Sequence, residues 1–260
     1  MTIRVAAKAL EPVSFRSILG VEVAELGWDE AIALLQDRLR AKRFTRVGFL
    51  NAHIANVACT DERLRAALTG FLVFPDGIGV DIAAKILYSK PFPANLNGTD
   101  LVPRLIMATR DPLKVGLIGA TRQNADRAAA ALAKMAPQHS FRVVSDGFFS
   151  TADEPAILSQ LAQYRPDILL VALGVPKQEL FISRVITAEH ATMPFAVGAL
   201  LDFLSDAVPR APLWVRRLRM EWLFRMANEP GRLWRRYVLG NPAFLGRVMR
   251  QKMGGTGSSA

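Results

Sequence analysis

Apolar residues recur along this chain in short, nearly continuous runs at 47–50, 71–74, 114–118, 142–144, 168–173 and 195–197. Each run has the length of a strand, is mostly β-branched or aromatic, and gives way to Asn, Asp or Gly. Between them lie stretches with helical periodicity, at 55–69, 80–88, 100–108, 123–135, 155–164 and 178–189. Strands that are apolar throughout and alternate with helices predict an α/β fold. The expected form is a Rossmann-like, mainly parallel sheet with helices on both faces. Ahead of this pattern, residues 13–26 alternate enough to predict a short hairpin. Residues 28–43 read as a helix with Asp29 and Glu30 at its acid-favouring start. The stretch SKPFPANLNG at 89–98 is a Pro/Asn-rich connection, 254–260 is a Gly/Ser-rich flexible end, and no internal repeat is present.

A length of 260 residues suits one large α/β domain, or such a domain with an appendage. The hydrophobic fraction of 51% is high, yet no run reaches the ~18 to 20 apolar residues that a membrane span needs. The N-terminal residues lack the continuous apolar core of a signal peptide. Cys59 is the only cysteine, which excludes a disulfide framework and suits a reducing cytoplasm. His53, His139 and His190 are scattered without metal-ligand spacing, so a histidine-built zinc site is not expected. These features point to a cytoplasmic protein, peripheral on a membrane at most.

Charge divides the chain sharply. Residues 210–252 hold eleven Arg or Lys against Glu221 and Glu229, nine of the net +10, together with three of the four tryptophans. The expected division is therefore an α/β domain over 1–209, an Arg/Trp-rich helical appendage over 210–253, and a flexible tail over 254–260. Leu218, Trp222 and Met226 fall at i, i+4 and i+8, on one helical face. Trp and Arg on such a helix suit an anionic membrane surface, where the apolar face sinks in and the cations meet lipid phosphate. An ordinary packed or oligomer-forming helix is the alternative. Nucleic acid is the least suited partner, because the basic residues are interleaved with large apolar ones.

Open parallel sheets bind ligands beyond the carboxyl ends of their strands. Those ends read Asn51-Ala52-His53, Asp76-Gly77-Ile78-Gly79, Gly119-Ala120-Thr121, Asp146-Gly147, Gly174-Val175-Pro176-Lys177-Gln178-Glu179 and Gly198-Ala199. Small, polar or acidic loops of this kind are what a nucleotide-diphosphate pocket needs. The segment 116–121 (GLIGAT) is half of a phosphate-binding turn, but it lacks the full G-x-G-x-x-G, and a tight strand-to-helix turn explains it as well. Gly77 and Gly79 read equally as turn glycines. Asp76, directly after a buried strand, suits a general base toward a bound hydroxyl; an N-cap for the following helix competes with that role. Capping likewise competes at Gln178 and Glu179, and turn closure at Asn51. No Asp-x-Asp occurs, so the usual carboxylate pair that holds a divalent metal on a sugar-nucleotide diphosphate is missing. Arginines would then have to neutralise a departing diphosphate.

As a set, these segments resemble a known family. FLNAHIANVA, FPDGIGV, LNGTDL, GLIGAT, SDGFF, ALGVPKQE, VGALLDF and RAPLWVRRLRMEWLFRMANEPGRLWRRY occur in the order and spacing of the WecG/TagA/CpsF bacterial glycosyltransferases. The match runs from about residue 13 to residue 245. The resemblance implies transfer of a sugar from a UDP-sugar to a polyprenyl-diphosphate-linked sugar in surface polysaccharide synthesis. It also implies inversion at the anomeric carbon and no metal or other cofactor. Asp76 is then the general base, Asn51 and Gln178 lie by the donor, and the basic appendage docks on the inner face of the cell membrane. Arg210, Arg217 and Arg225 match arginines that would meet the diphosphate. The glycine loops at 77–79, 119–121, 146–147 and 174–179 would complete the donor pocket. Two departures stand out. Phe49 replaces a threonine common in the family, which bears on whether the donor carries N-acetylmannosamine, glucose or a mannosaminuronate. Asp206 replaces a common glycine. A homo-oligomer is compatible with the sequence, and a non-catalytic nucleotide-binding module held at the membrane is the rival function.

Overall fold

The computed structural model describes residues 12–208, 211, 212, 215, 221–228 and 230–255. The hairpin forms between β1 (Phe15–Ile18) and β2 (Val21–Ala24), in antiparallel register with Ile18 opposite Val21. Leu19 and Gly20 close it, both at positive φ, the backbone that matches the twist of a two-residue hairpin. The remaining strands are β3 (Arg46–Leu50), β4 (Phe71–Pro75), β5 (Lys114–Gly119), β6 (Ser140–Ser145), β7 (Ile168–Ala172) and β8 (Met193–Ala196). They join in the order β1-β2-β4-β3-β8-β7-β5-β6, and every pairing except β1 with β2 is parallel. The carboxyl ends of β3, β4, β5, β7 and β8 therefore share one edge of the sheet.

In chain order the helices of the body are α1 (Trp28–Arg40), α2 (Ala52–Ala58), α3 (Glu62–Leu68), α4 (Ile78–Tyr88), α5 (Gly98–Ala108), α6 (Arg122–Met135), α7 (Glu154–Tyr164), α8 (Lys177–Val185) and α9 (Leu200–Leu204). Alternation along the strands divides the core into two layers. Val73, Leu169 and Val171 face a layer built with Ile54, Leu64, Val80, Ile157 and Ile182, from α2, α3, α4, α7 and α8. Leu72, Phe74, Ile168 and Leu170 face the other, built with Leu35, Leu105, Leu132 and Leu201, from α1, α5, α6 and α9. Helices on both faces explain why the central strands read as unbroken apolar runs.

The structure corrects two expected helices and adds one more. The expected helix over 55–69 is two helices, because Asp61 caps α3 by accepting from the N–H groups of Arg63 and Leu64 at 3.0 and 3.4 Å. The helix expected to reach 189 stops at Val185. The five-residue α9 is too short to show periodicity and is visible in the sequence only as part of the VGALLDF segment.

Beyond the body the chain continues through α10 (Glu221–Asn228), α11 (Pro230–Trp234), a π-helical turn over Arg235–Leu239 and α12 (Gly240–Gly255). The last of these is tied firmly to the body. Phe244 and Val248 are buried in the same layer as α2 and α4. Asn56 donates to the Gly240 carbonyl at 2.7 Å and accepts from the Arg247 guanidinium. Gln251 bonds both the Leu19 N–H and the Ser17 carbonyl in the hairpin, at 2.9 and 3.1 Å. Among the described residues no helix is long and apolar enough to cross a membrane.

Candidate active site

A cavity of about 390 Å³ opens at the carboxyl ends of β3 and β4, between the starts of α2, α4 and α5 and the C-terminal helices. Its polar wall includes Asn51, His53, Asp76, Asn95, Asn97 and Asp100; Ile78, Ile82, Phe203, Trp222 and Phe244 supply apolar wall. β3 and β4 stay paired past their ends, since the Asp76 N–H bonds the Leu50 carbonyl at 2.8 Å. That pairing sets Asp76 beside Asn51. Asn51 caps α2, its Oδ1 accepting from the N–H groups of His53 and Ile54 at 3.1 and 3.0 Å. With Oδ1 so occupied, the amide can present only Nδ2 to Asp76, and Nδ2 donates to Asp76 Oδ2 at 3.1 Å. The reading of Asp76 as a helix cap does not describe this fold. Gly77, not Asp76, occupies the N-cap position of α4, at φ 89°.

A second Asn–Asp pair repeats the pattern across the cavity. Asn97 caps α5 through Oδ1, at 3.0 Å from the Asp100 N–H, and Nδ2 donates to Asp100 Oδ2 at 2.9 Å. Asn95 accepts from the Gly77 N–H at 2.7 Å and so fixes the turn after Asp76. His53 also lines the cavity. Burial, and then the charge of Arg236, pull its pKa down to about 4, so the imidazole is neutral at physiological pH. Gly79 explains how the helices come this close: a Cβ there would stand 3.3 Å from the Ala52 methyl.

The other glycine-bearing loops occupy the same edge of the sheet, but none of their residues is among those lining this cavity. At Gly119 the turn is dictated by sterics. Its φ is 123°, and a Cβ would fall 2.3 Å from the Ala172 carbonyl oxygen. Ala120 accepts from the Gly147 N–H at 2.8 Å, Thr121 caps α6 through the Asn124 N–H at 3.2 Å, and Asp146 accepts from the Phe148 N–H at 2.9 Å. Gly174 turns at φ 76° ahead of Pro176, the N-cap residue of α8, and Lys177 opens that helix. Gln178 does not cap it. Its Oε1 accepts from the N–H groups of Gly174 and Gly198, at 3.2 and 3.1 Å, tying the loops that follow β7 and β8. Its Nε2 then donates to Glu179 at 2.9 Å. Glu179 is buried, with Oε2 unpaired among the described residues, and burial lifts its pKa to about 7.

A profile of the glycosyl transferase WecG/TagA/CpsF family matches residues 16–258. The chain belongs to that family. It is an α/β glycosyltransferase, and the loops just described are its family segments. Three curated relatives are named N-acetylglucosaminyldiphosphoundecaprenol N-acetyl-beta-D-mannosaminyltransferase. The protein of Bacillus spizizenii is 29% identical over 204 residues, 78% of this chain and 77% of the relative. That of Bacillus subtilis is 27% identical over 208 residues, 79% of each. That of Staphylococcus aureus is 28% identical over 204 residues, 78% of each.

Within this glycosyltransferase, Phe49 lies in the core and not on the cavity wall. It is 5% exposed, and its ring packs so closely on α5 that a Cβ at Gly98 would meet it at 2.8 Å. Arg210 and Arg217 lie outside the described residues, as does the side chain of Arg225 on α10. The basic tail instead brings Arg236 to the cavity, with Trp222 and Tyr237, whose rings lie 5.6 Å apart. Sequence reasoning passed over Arg236 because arginines are dense there. Asn97, Thr99 and Asp100 belong to the family segment LNGTDL but carry no site role in the sequence, and Asn95 has none either, because all four sit in or next to a Pro/Asn-rich connection. The repeated Asn beside a helix start was the available signal.

Proposed function

We propose that this chain is an inverting, metal-independent transferase. It moves a sugar from a UDP-sugar to a polyprenyl-diphosphate-linked sugar in the synthesis of a surface polysaccharide. The carrying observation is the Asn51–Asp76 pair at the mouth of two parallel strands, where both residues line a ligand-sized cavity. Asp76 takes the proton of the acceptor hydroxyl as that oxygen attacks C1 of the donor sugar. The bond from C1 to the diphosphate breaks on the opposite face, UDP leaves with the electron pair, and the configuration at C1 inverts. Asn51 positions the carboxylate, and Arg236 offsets charge on the departing diphosphate. The absence of an Asp-x-Asp pair favours a reaction without metal.

The relatives' names support the choice of acceptor, N-acetylglucosaminyl-diphospho-undecaprenol, and N-acetylmannosamine as the transferred sugar. In this reading the loops at 119–121, 146–147 and 174–179 hold the nucleotide. Residues 210–253 form the appendage that docks on the cytoplasmic face of the membrane. Leu223, Trp234, Val238 and Leu239 are large, apolar and exposed there, beside Arg235, whose guanidinium stacks over Trp234, a combination suited to a headgroup boundary. The decisive experiment is Asp76→Asn, assayed with UDP-N-acetylmannosamine and a short-chain lipid acceptor. Turnover should fall at least about 100-fold while UDP-sugar binding persists. Undiminished turnover would remove Asp76 from the chemistry.

A further inference from the structure

At the opposite end of β3 and β4, where both strands begin, lies a second cavity of about 300 Å³. Each strand is five residues long, so at about 3.3 Å per residue some 13 Å separates the two ends. Arg38, Arg43 and Arg46 line this cavity together with Thr45, Thr69 and Gly70, and no Asp or Glu does. The three arginines come from α1, the loop after it and β3. The chain folds back to gather them: the Arg43 N–H bonds the Arg38 carbonyl at 2.9 Å. Thr45 Oγ1 donates to the Arg43 carbonyl at 3.0 Å and accepts from Arg38 at 3.4 Å. Arg46 stacks over Phe44 at 5.2 Å.

Ordinary structural roles do not account for this cluster. The negative end of α1 favours a cation in its last turn, which explains Arg38 and Arg40 but neither Arg43 nor Arg46. Among the described residues none of the three cavity arginines forms an ion pair, whereas Lys42 between them is paired with Asp167. The Nε atoms of Arg38 and Arg46 are shut off from solvent without a hydrogen-bond partner in the described structure. Burial, and then the charge of Arg43, hold the Arg38 pKa below its ordinary value, with Asp37 opposing. Three like charges gathered at one cavity without a neutralising carboxylate are costly, and an anion bound there removes that cost. A tetrahedral oxyanion supplies several acceptors and the opposite charge, in the geometry that guanidinium forks prefer.

We propose that Arg38, Arg43 and Arg46 form a binding site for a phosphate group, separate from the catalytic cavity. The phosphate is either that of a small soluble ligand or that of a lipid headgroup. The test titrates the full-length chain calorimetrically with pyrophosphate, in saturating UDP so that the catalytic cavity is occupied, and measures its sedimentation with phosphatidylglycerol vesicles in parallel. Pyrophosphate binding that weakens at least tenfold in Arg43→Gln/Arg46→Gln supports the site with a soluble ligand. Vesicle binding that weakens as much in that variant, without pyrophosphate binding, supports it with a headgroup. Arg46→Lys, which keeps the charge but loses the planar fork, should weaken the same interaction several-fold, and it carries the test if the double variant does not fold. Binding of neither probe by the parent chain, or equal binding by the variants, overturns the proposal.

Discussion

Asn51 Nδ2 lies 3.1 Å from Asp76 Oδ2, while Oδ1 of the same amide holds the first turn of α2. One side chain thus caps a helix and aims a carboxylate. Asn51→Asp separates the two roles, because aspartate caps as well as asparagine but has no donor for Asp76. The helix cap is kept, so the stability lost at neutral pH is that of the new carboxylate pair, about 1 to 2 kcal/mol for a pKa raised by about one unit. Turnover should fall about 10- to 100-fold, and the acid limb of its pH profile should move upward, since two adjacent carboxylates cannot both ionise easily. Melting curves and pH–rate profiles check this; a variant with the parent profile would mean that the amide does not act on Asp76.

Glu179 makes stability depend on pH. Its pKa is about 7 in the folded chain against an ordinary 4.5, with burial as the main cause. As pH rises from 4.5 toward 7, the unfolded chain loses this proton while the folded chain keeps it. The contribution present below 4.5 is therefore lost across that window, by up to about 3 kcal/mol. Glu179→Gln, which cannot ionise, should remove this slope from denaturant midpoints measured between pH 4.5 and 7. Parallel slopes for the two proteins would show that the carboxyl titrates normally.

What the sequence disclosed depended on how local the cause was. The runs around Leu72 and Leu170 announced strands because both faces of the sheet are covered, and Asn51 and Asp76 were readable because a parallel sheet keeps its ligands at the strand ends. The break at Asp61 was less visible, since a capping aspartate inside an apolar periodicity looks like any exposed acid. Arg236, Trp222 and Tyr237 reach the cavity only because α12 docks through Phe244 and Val248, a tertiary event with no local signature. Phe49 stands out in the sequence by its identity, but only packing shows that it meets Gly98 and not the cavity.

His53 should stay neutral far into the acid range. Its pKa is lowered to about 4 by burial and by Arg236, against an ordinary 6.5. The stability it contributes is present above about 6.5 and is lost as pH falls toward 4, where the unfolded chain is already protonated. An NMR titration of the ring should give a midpoint near 4, and removal of the neighbouring charge in Arg236→Gln should raise it. A midpoint near 6.5 would show that His53 is not enclosed by the cavity.

Glycines at two strand ends should respond differently to alanine. Gly77 has φ 89° and ψ 164°, a conformation all but reserved for glycine, and open space where a Cβ would go, so Gly77→Ala carries only backbone strain of about 1 to 3 kcal/mol. At Gly119 the same change adds a 2.3 Å contact with the Ala172 backbone, which forces β5 and β7 apart and should cost more than about 3 kcal/mol. Urea unfolding of the two variants distinguishes these cases. Equal losses would mean that the β5–β7 approach yields easily.

Asp206, which the family resemblance marks as a departure from glycine, lies in backbone that suits glycine. The residue lies at φ 57°, just past the end of α9. Its N–H bonds the Phe203 carbonyl at 3.3 Å, and the Ala207 N–H bonds the Asp202 carbonyl at 3.1 Å. This paired closure is the Schellman motif, which places a left-handed residue directly after the helix. An aspartate tolerates that conformation at a cost that glycine avoids, while glycine adds freedom to the unfolded chain. The balance favours Asp206→Gly by about 0.5 kcal/mol. Thermal unfolding should therefore shift slightly upward. A downward shift would show that the Asp206 side chain makes a stabilising contact outweighing its backbone strain.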